Sequence, residues 1–294
     1  MAETMTRLST APARDSIGGA LRSVRHGWRR IAAIAGIGAA GTTVLALGAL
    51  ALETTHAPFA LVLGVLNTVL LAAVYAALIG AALEPNAPLL PRLAASTGRV
   101  WSAMVIVGFM LVLTMFAVCL PISMALAPYL APYGAQIQAA QGDETAFMNL
   151  LARFFQQQPL PFGLMFLVIA AAWMLMSSRF YLAAPASIDA KRIQTFETWP
   201  WTKNQMLRIT IARIVLLGPA IVLFQALTIL SARALGFDML RGGDTAAFAA
   251  HNPAAYGAFI FVSVFLQILV YNALEAGLAT SFYRVLKPAA AKPI

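Results

Sequence analysis

One cysteine, three histidines and eleven acidic residues are all that the 294 residues offer of the groups most enzyme and metal chemistry uses. The single thiol, Cys119, excludes an internal disulfide framework. It sits in an apolar run without an adjacent base and reads as inert packing. His26, His56 and His251 are far apart, and although Glu53 and Asp244 lie near the last two, no tight His-x-x-x-His or Cys/His spacing occurs. No metal centre and no cofactor are therefore expected. Charge is scarce too: 11% of residues are charged, against roughly 25% in an ordinary soluble domain. Long polar stretches are equally rare. The longest are the first thirty residues, Pro128 to Pro161 and Arg179 to Arg208, none of them enough for a separate soluble domain.

What fills the chain instead is apolar, with 61% hydrophobic residues and a mean hydropathy of +0.79. These residues gather into six runs: Ile31 to Leu52, Phe59 to Leu83, Val100 to Leu126, Phe162 to Ser178, Ile209 to Leu230 and Tyr256 to Leu278. Each has a length that crosses a hydrocarbon core of ~30 Å as a helix. The runs are apolar on both alternating faces, which excludes a membrane barrel. The expected fold is an all-α polytopic membrane bundle: a cytoplasmic head (1–30), a six-span domain (31–286) and a cytoplasmic tail (287–294).

Orientation follows from the basic residues. With the N-terminus inside, 17 of the 20 Lys and Arg fall in the head, the second and fourth loops with their flanks, and the tail; only Arg153, Arg233 and Arg241 fall outside. Both termini are thus expected in the cytoplasm. The net charge of +9 is spread along helix ends facing anionic inner-leaflet lipid, not over a folded basic face, so nucleic acid is not an expected partner. In the head, Ile17, Leu21, Val24 and Trp28 recur at helical spacing opposite Arg22, Arg25 and Arg29. Ser16 to Arg30 is accordingly expected to be an amphipathic helix lying in the membrane plane, followed by a signal-anchor span.

Between the spans, Gly142 to Phe147 is echoed by Gly243 to Phe248, and Ser178-Arg179-Phe180-Tyr181 by Ser281-Phe282-Tyr283-Arg284. This points to duplication of the third and fourth spans as the fifth and sixth. Asp143 is expected to cap a helix with Phe147, Leu150, Leu151, Phe154 and Phe155 on one face. Four-residue spacing of Gly36 and Ala40, and of Ala72, Ala73, Ala76, Ala77 and Gly80, predicts close backbone approach of the first two spans. Pro121 and Pro219 interrupt the third and fifth spans.

The most distinctive stretch is Arg179 to Arg208. Leu182 to Ala186 ends an inward-running helix, Asp189, Lys191 and Arg192 mark the cytoplasm, and Thr198-Trp199-Pro200-Trp201-Thr202-Lys203-Asn204 leads into the fifth span. Pro200 suits a first helical turn, and Trp199 and Trp201 suit the interfacial belt. Thr202, Lys203 and Arg208 complete an expected site for lipid phosphate. The pattern of a late-span arginine, an Ala-Pro-Ala helix end, an acid and then Ser/Thr-Trp-x-x-Thr-Lys-Gly resembles the membrane domain associated with bacterial glycerophosphoryl diester phosphodiesterases and related six-span inner-membrane proteins. Arg179, Pro185, Trp199, Thr202 and Lys203 correspond; Asn204 stands where glycine is usual, and Pro200 departs from the pattern. The likeness covers about thirty of the 294 residues. It implies a protein of the bacterial cytoplasmic membrane. The catalytic half of such enzymes, a separate α/β barrel with His and Glu ligands, has no counterpart in this sequence, so no enzyme is expected.

Two functional classes remain. The first is a non-catalytic bundle that binds lipid, a protein partner or a second copy of itself and supports envelope or lipid homeostasis. The alternative is a secondary transporter or channel, favoured by Asn67, Gln225, Gln267, Asn272 and Glu275 within the apolar runs. Arg179 and Glu275 lie at matched depths on the fourth and sixth spans and are expected to pair. The basic asymmetry makes a direct prediction about topology. With Cys119→Ala as background, single cysteines at Ala146 and Ala246 should react with an impermeant maleimide on spheroplasts, and cysteines at Ala190 and Ala290 should not. Labelling at either of the latter would overturn the orientation.

Overall fold

The computed structural model describes residues 13–53, 56–88, 90–140, 144–236 and 248–288, and every regular element among them is helical. The elements are α1 (Ala13–Glu53), α2 (Ala57–Leu83), α3 (Leu90–Leu130), α4 (Gly134–Ala139), α5 (Glu144–Gln157), α6 (Pro159–Arg179), α7 (Ala183–Asp189), α8 (Trp199–Thr202), α9 (Met206–Ala234), α10 (Pro253–Leu266) and α11 (Ala273–Leu286). A π-helical stretch, Gln267–Asn272, joins α10 to α11. Among the described residues six helical segments are long and apolar enough to cross a membrane, one on each of the six expected runs. Proline sets several of the starts: α2, α8 and α10 carry it in the first turn, where no N–H is needed. At α10 the Asn252 side chain also caps the helix by accepting from the Ala255 N–H at 3.2 Å. Pro121 and Pro219 lie inside α3 and α9, which continue through them.

The chain divides into two compact units, one formed by the residues up to Ile106 and again from Ser178, the other by Val107–Ser177. In the smaller unit α5 turns Leu150 and Phe154 into a cluster with Leu126, Ala140 and Phe162, and Phe154 stacks on Phe162 at 5.7 Å. Phe147 is exposed. Asp143 and the side chains of Leu151 and Phe155 lie outside the described residues. Cys119, expected to be packed, is exposed on α3.

In the larger unit α1 packs on α2, α10 and α11. The expected in-plane helix and first span are one uninterrupted helix, Ala13–Glu53. The reason lies in the small residues of its first turns. Ala20 is fully buried, and Ile17 packs on the same cluster as Tyr181, Leu278 and Phe282. A side chain at Gly277 would bring its Cβ to 3.2 Å from the Ala20 Cα, and one at Gly19 would reach 2.5 Å from the Ser281 hydroxyl. Part of the apolar stripe of the head is therefore covered by protein, while Leu21 and Trp28 stay exposed.

Close approach of α1 and α2 is present, but on a face other than the expected one. Ala35 is buried in a core that includes Ala72 and Ala76, a Cβ at Gly38 would come within 2.7 Å of Val74, and one at Gly41 within 2.7 Å of Leu70. Gly36 has open space beside it and Ala40 is exposed. The small residues of α1 recur on two faces, and spacing alone does not choose between them. The sequence echo of the outer loops falls largely on residues 141–143 and 237–247, outside the described residues.

These distances predict opposite effects for two glycines. Gly277→Val meets backbone that cannot yield and should destabilise by about 1–3 kcal/mol. Gly36→Ala should leave stability unchanged or raise it by up to about 1 kcal/mol through helix propensity. Melting of the purified protein in detergent checks both.

Candidate functional site

The stretch from Arg179 to Arg208 folds as a closed turn against the end of α6. The Arg179 guanidinium lies 4.4 Å over the Trp199 ring and donates to the Trp199 carbonyl at 3.4 Å. Thr202 is fully buried, and its hydroxyl donates to the Arg179 carbonyl at 2.9 Å. Phe180 meets Trp199 edge-on at 5.1 Å. Along α7, Ala183 to Ser187 are buried, and the Ser187 hydroxyl donates to the Ala183 carbonyl while accepting the Gln194 N–H. Lys191, in the left-handed region at φ 55°, follows the end of α7. Of the five residues on which a family resemblance was expected, Arg179, Trp199 and Thr202 hold the turn together, Pro185 is buried in α7 and Lys203 is exposed.

Of the five residues expected to meet lipid phosphate, the turn presents two cations outward. Lys203 and Arg208 are exposed, and Arg208 donates to the Gln205 side chain at 3.2 Å. Trp199 and Trp201 are half-buried, Trp201 beside the Tyr283 ring at 6.3 Å. Thr202 is spent on the backbone and is a structural clamp. On the same unit, Tyr283 donates to the Asp189 carboxylate at 2.7 Å and Lys287 forms an ion pair with it, fixing the end of α11 to the end of α7.

A second constellation lies within the bundle. Arg213, two turns into α9, is buried; it donates to the Ser178 hydroxyl at 3.1 Å, and its guanidinium lies 4.8 Å over the Tyr181 ring. The Ser178 and Thr210 hydroxyls are 2.9 Å apart, and the Tyr181 hydroxyl donates to the Glu275 carbonyl at 3.2 Å. The charge acting on the Glu275 carboxyl is that of Arg213, and Tyr75 and Tyr271 share the same electrostatic neighbourhood. Four helices contribute: α2, α6 through Ser178, α9, and the segment from the π-helical stretch into α11. A cation desolvated in this way needs an acceptor and an electron-rich face nearby, and the Ser178 hydroxyl and the Tyr181 ring supply them.

The expected pairing of Arg179 with Glu275 does not form: no ion pair joins them within 4.0 Å among the described residues. Arg179 faces the Trp199 turn instead, and Glu275 lies in the electrostatic neighbourhood of Arg213. Of the other polar residues expected within the spans, Asn67 is half-buried on α2 with its Oδ1 buried and unbonded, and Asn272 closes the π-helical stretch. Gln225 and Gln267 are exposed on the outer faces. The residue that sequence reasoning missed is Arg213. Its signal was available, a lone cation inside an apolar run, but it had been counted with the flanking charges that set topology.

Comparison with family models, with curated proteins and with solved structures finds no match.

A double-mutant cycle distinguishes the two pairings. Arg213→Gln and Glu275→Gln should each lower stability in detergent by about 1–3 kcal/mol, as buried groups lose their partner. Their combination should show a coupling of about 0.5 kcal/mol or more. The Arg179→Gln and Glu275→Gln pair should be additive.

Proposed function

We propose that the chain is a multi-pass protein of the bacterial cytoplasmic membrane, with both termini in the cytoplasm, and that it serves as a non-catalytic bundle binding anionic lipid at its cytoplasmic end. The observation that carries this reading is a division of its surface. The outward faces of the long helices expose large apolar side chains such as Ile37, Val44, Leu61 and Val222, each at least 70% accessible. The basic ends of α1, α9 and α11 present arginine and lysine, those of α9 close to the half-buried Trp199 and Trp201. An apolar belt of this extent requires a hydrocarbon or protein cover, and cations at its inner rim attract anionic headgroups at about 1 kcal/mol each. A protein partner or a second copy would dock on the same apolar faces.

Transport is the second reading. It is favoured by the π-helical stretch Gln267–Asn272, which leads into Glu275 and the Arg213 cluster, because such stretches occur often at functional sites. A flux assay in proteoliposomes with glycerol-phosphate and lipid-derived solutes separates the two, since the bundle reading expects no flux above empty vesicles.

For the first reading, native mass spectrometry of the detergent-solubilised chain should show phosphatidylglycerol retained in preference to phosphatidylcholine. Lys203→Gln with Arg208→Gln should reduce that retention without lowering the melting temperature. Equal retention of the two lipids by the native chain would refute preferential anionic binding.

A further inference from the structure

We infer that the cleft between the first turns of α1, the end of α2 and the end of α11 is a binding site for a phosphoryl group, carried either by a lipid headgroup or by a soluble phosphate ester. This site is separate from the Trp199 turn. Its lipid form rests on the membrane reading given above.

The cleft has a volume of about 880 Å³, and its lining includes Arg22, His26, Arg29, Arg30 and Arg284 but no Asp or Glu. The fold itself brings these cations together. Close packing at Gly19 and Gly277 places the head of α1 directly on α11, so three arginines and a histidine from α1 share a wall with Arg284. Two of the guanidinium groups are held in position by the carboxyl end of α2. Arg30 donates to the carbonyls of Pro85, at 2.6 Å, and Ala87; Arg284 donates to those of Ala82 and Leu83 at 2.8 and 3.0 Å. The Ala82 and Leu83 carbonyls are acceptors that the end of α2 leaves unsatisfied, and the negative end of its dipole favours cations, while those of Pro85 and Ala87 belong to the turn that follows.

That accounts for why two arginines are there, but it leaves the cleft overcharged. A guanidinium has five N–H donors, and Arg30 and Arg284 each spend two bonds on carbonyls, so donors remain on both. Arg22 and Arg29 are exposed, and neither forms an ion pair within 4.0 Å among the described residues. His26 directs Nδ1 to the Arg22 carbonyl at 2.8 Å, which leaves Nε2 unengaged. Like charges at this spacing repel, and a dianionic phosphoryl group with several acceptor oxygens relieves the repulsion while taking forked N–H donors from more than one arginine. The room beyond it accepts the remainder of a headgroup.

The test uses the full chain in detergent at about 150 mM salt, where exposed charges are screened beyond roughly 8 Å. The probes are dioctanoyl phosphatidic acid, glycerol 3-phosphate and, as the uncharged control, dioctanoylglycerol, with binding measured by calorimetry. Arg22→Gln with Arg29→Gln removes two charges that bond to no other helix, so an unchanged melting temperature is expected and verifies folding. Phosphatidic acid should bind, dioctanoylglycerol should not, and the double variant should weaken the phosphate probe about tenfold or more. Comparable, variant-sensitive binding of glycerol 3-phosphate would assign the site to soluble esters; binding of phosphatidic acid alone would assign it to lipid. Affinity unaffected by the Arg22/Arg29 variant overturns the inference. If that affinity falls instead in the Lys203→Gln, Arg208→Gln variant, the cleft is not the site and the lipid-binding reading survives. If neither phosphate probe binds, both fail.

Discussion

Where α1 crosses α11, Ala20 faces Gly277 with no side chain wide enough to hold the backbones apart, and the organisation of the basic end follows from that approach. It buries Ala20, carries Ile17 onto the Phe282 cluster and sets Arg284 beside the arginines of α1. From there Arg284 and Arg30 reach the carbonyls at the end of α2, tying three helices at one point. A larger residue at either position would part the helices and disperse the cations. Packing chemistry and electrostatics are therefore coupled: small residues at the crossing create the charge density a few ångströms away.

Deeper in the bundle a different constraint operates. Backbone groups satisfy one another within helices, but side-chain polarity in an apolar interior has only other side chains and carbonyls to meet. Arg213 resolves this through Ser178 and the Tyr181 ring. The π-helical stretch just before α11 shifts the register by which Tyr271 and Glu275 follow α10. Leaving one member of such a set unpaired is costlier than removing the set, so the cluster fixes α9 against the Ser178–Tyr181 segment.

Much of the helical framework was legible from hydropathy and proline placement. All six runs are helical, and Pro58, Pro200 and Pro253 mark starts where a missing N–H is harmless. Rotation about the helix axes was not legible. Ile17 and Val24 do form an inward stripe, but periodicity says which face is apolar, not whether lipid or protein covers it; hence the expected in-plane helix is part of α1. For the same reason Gly38 and Gly41, not Gly36 and Ala40, meet α2. Depth can be counted along a helix, and the count expects Arg179 and Glu275 near one level. Azimuth cannot be counted without the neighbours, and it is azimuth that turns Arg179 to Trp199.

The docking of the head of α1 on α11 is the claim on which the basic cleft depends. A Cβ at Gly19 would lie 3.4 Å from the Ser281 Cβ, near the roughly 3.5–4.5 Å of natural disulfides. In a Cys119→Ala background, Gly19→Cys with Ser281→Cys should oxidise in native membranes and then refuse a maleimide-polyethylene glycol tag, while Gly36→Cys with Ser281→Cys should stay reduced and accept it. Free thiols at Gly19→Cys and Ser281→Cys after oxidation, with both tagged as fully as in the control pair, would place the head away from α11 and contradict the account.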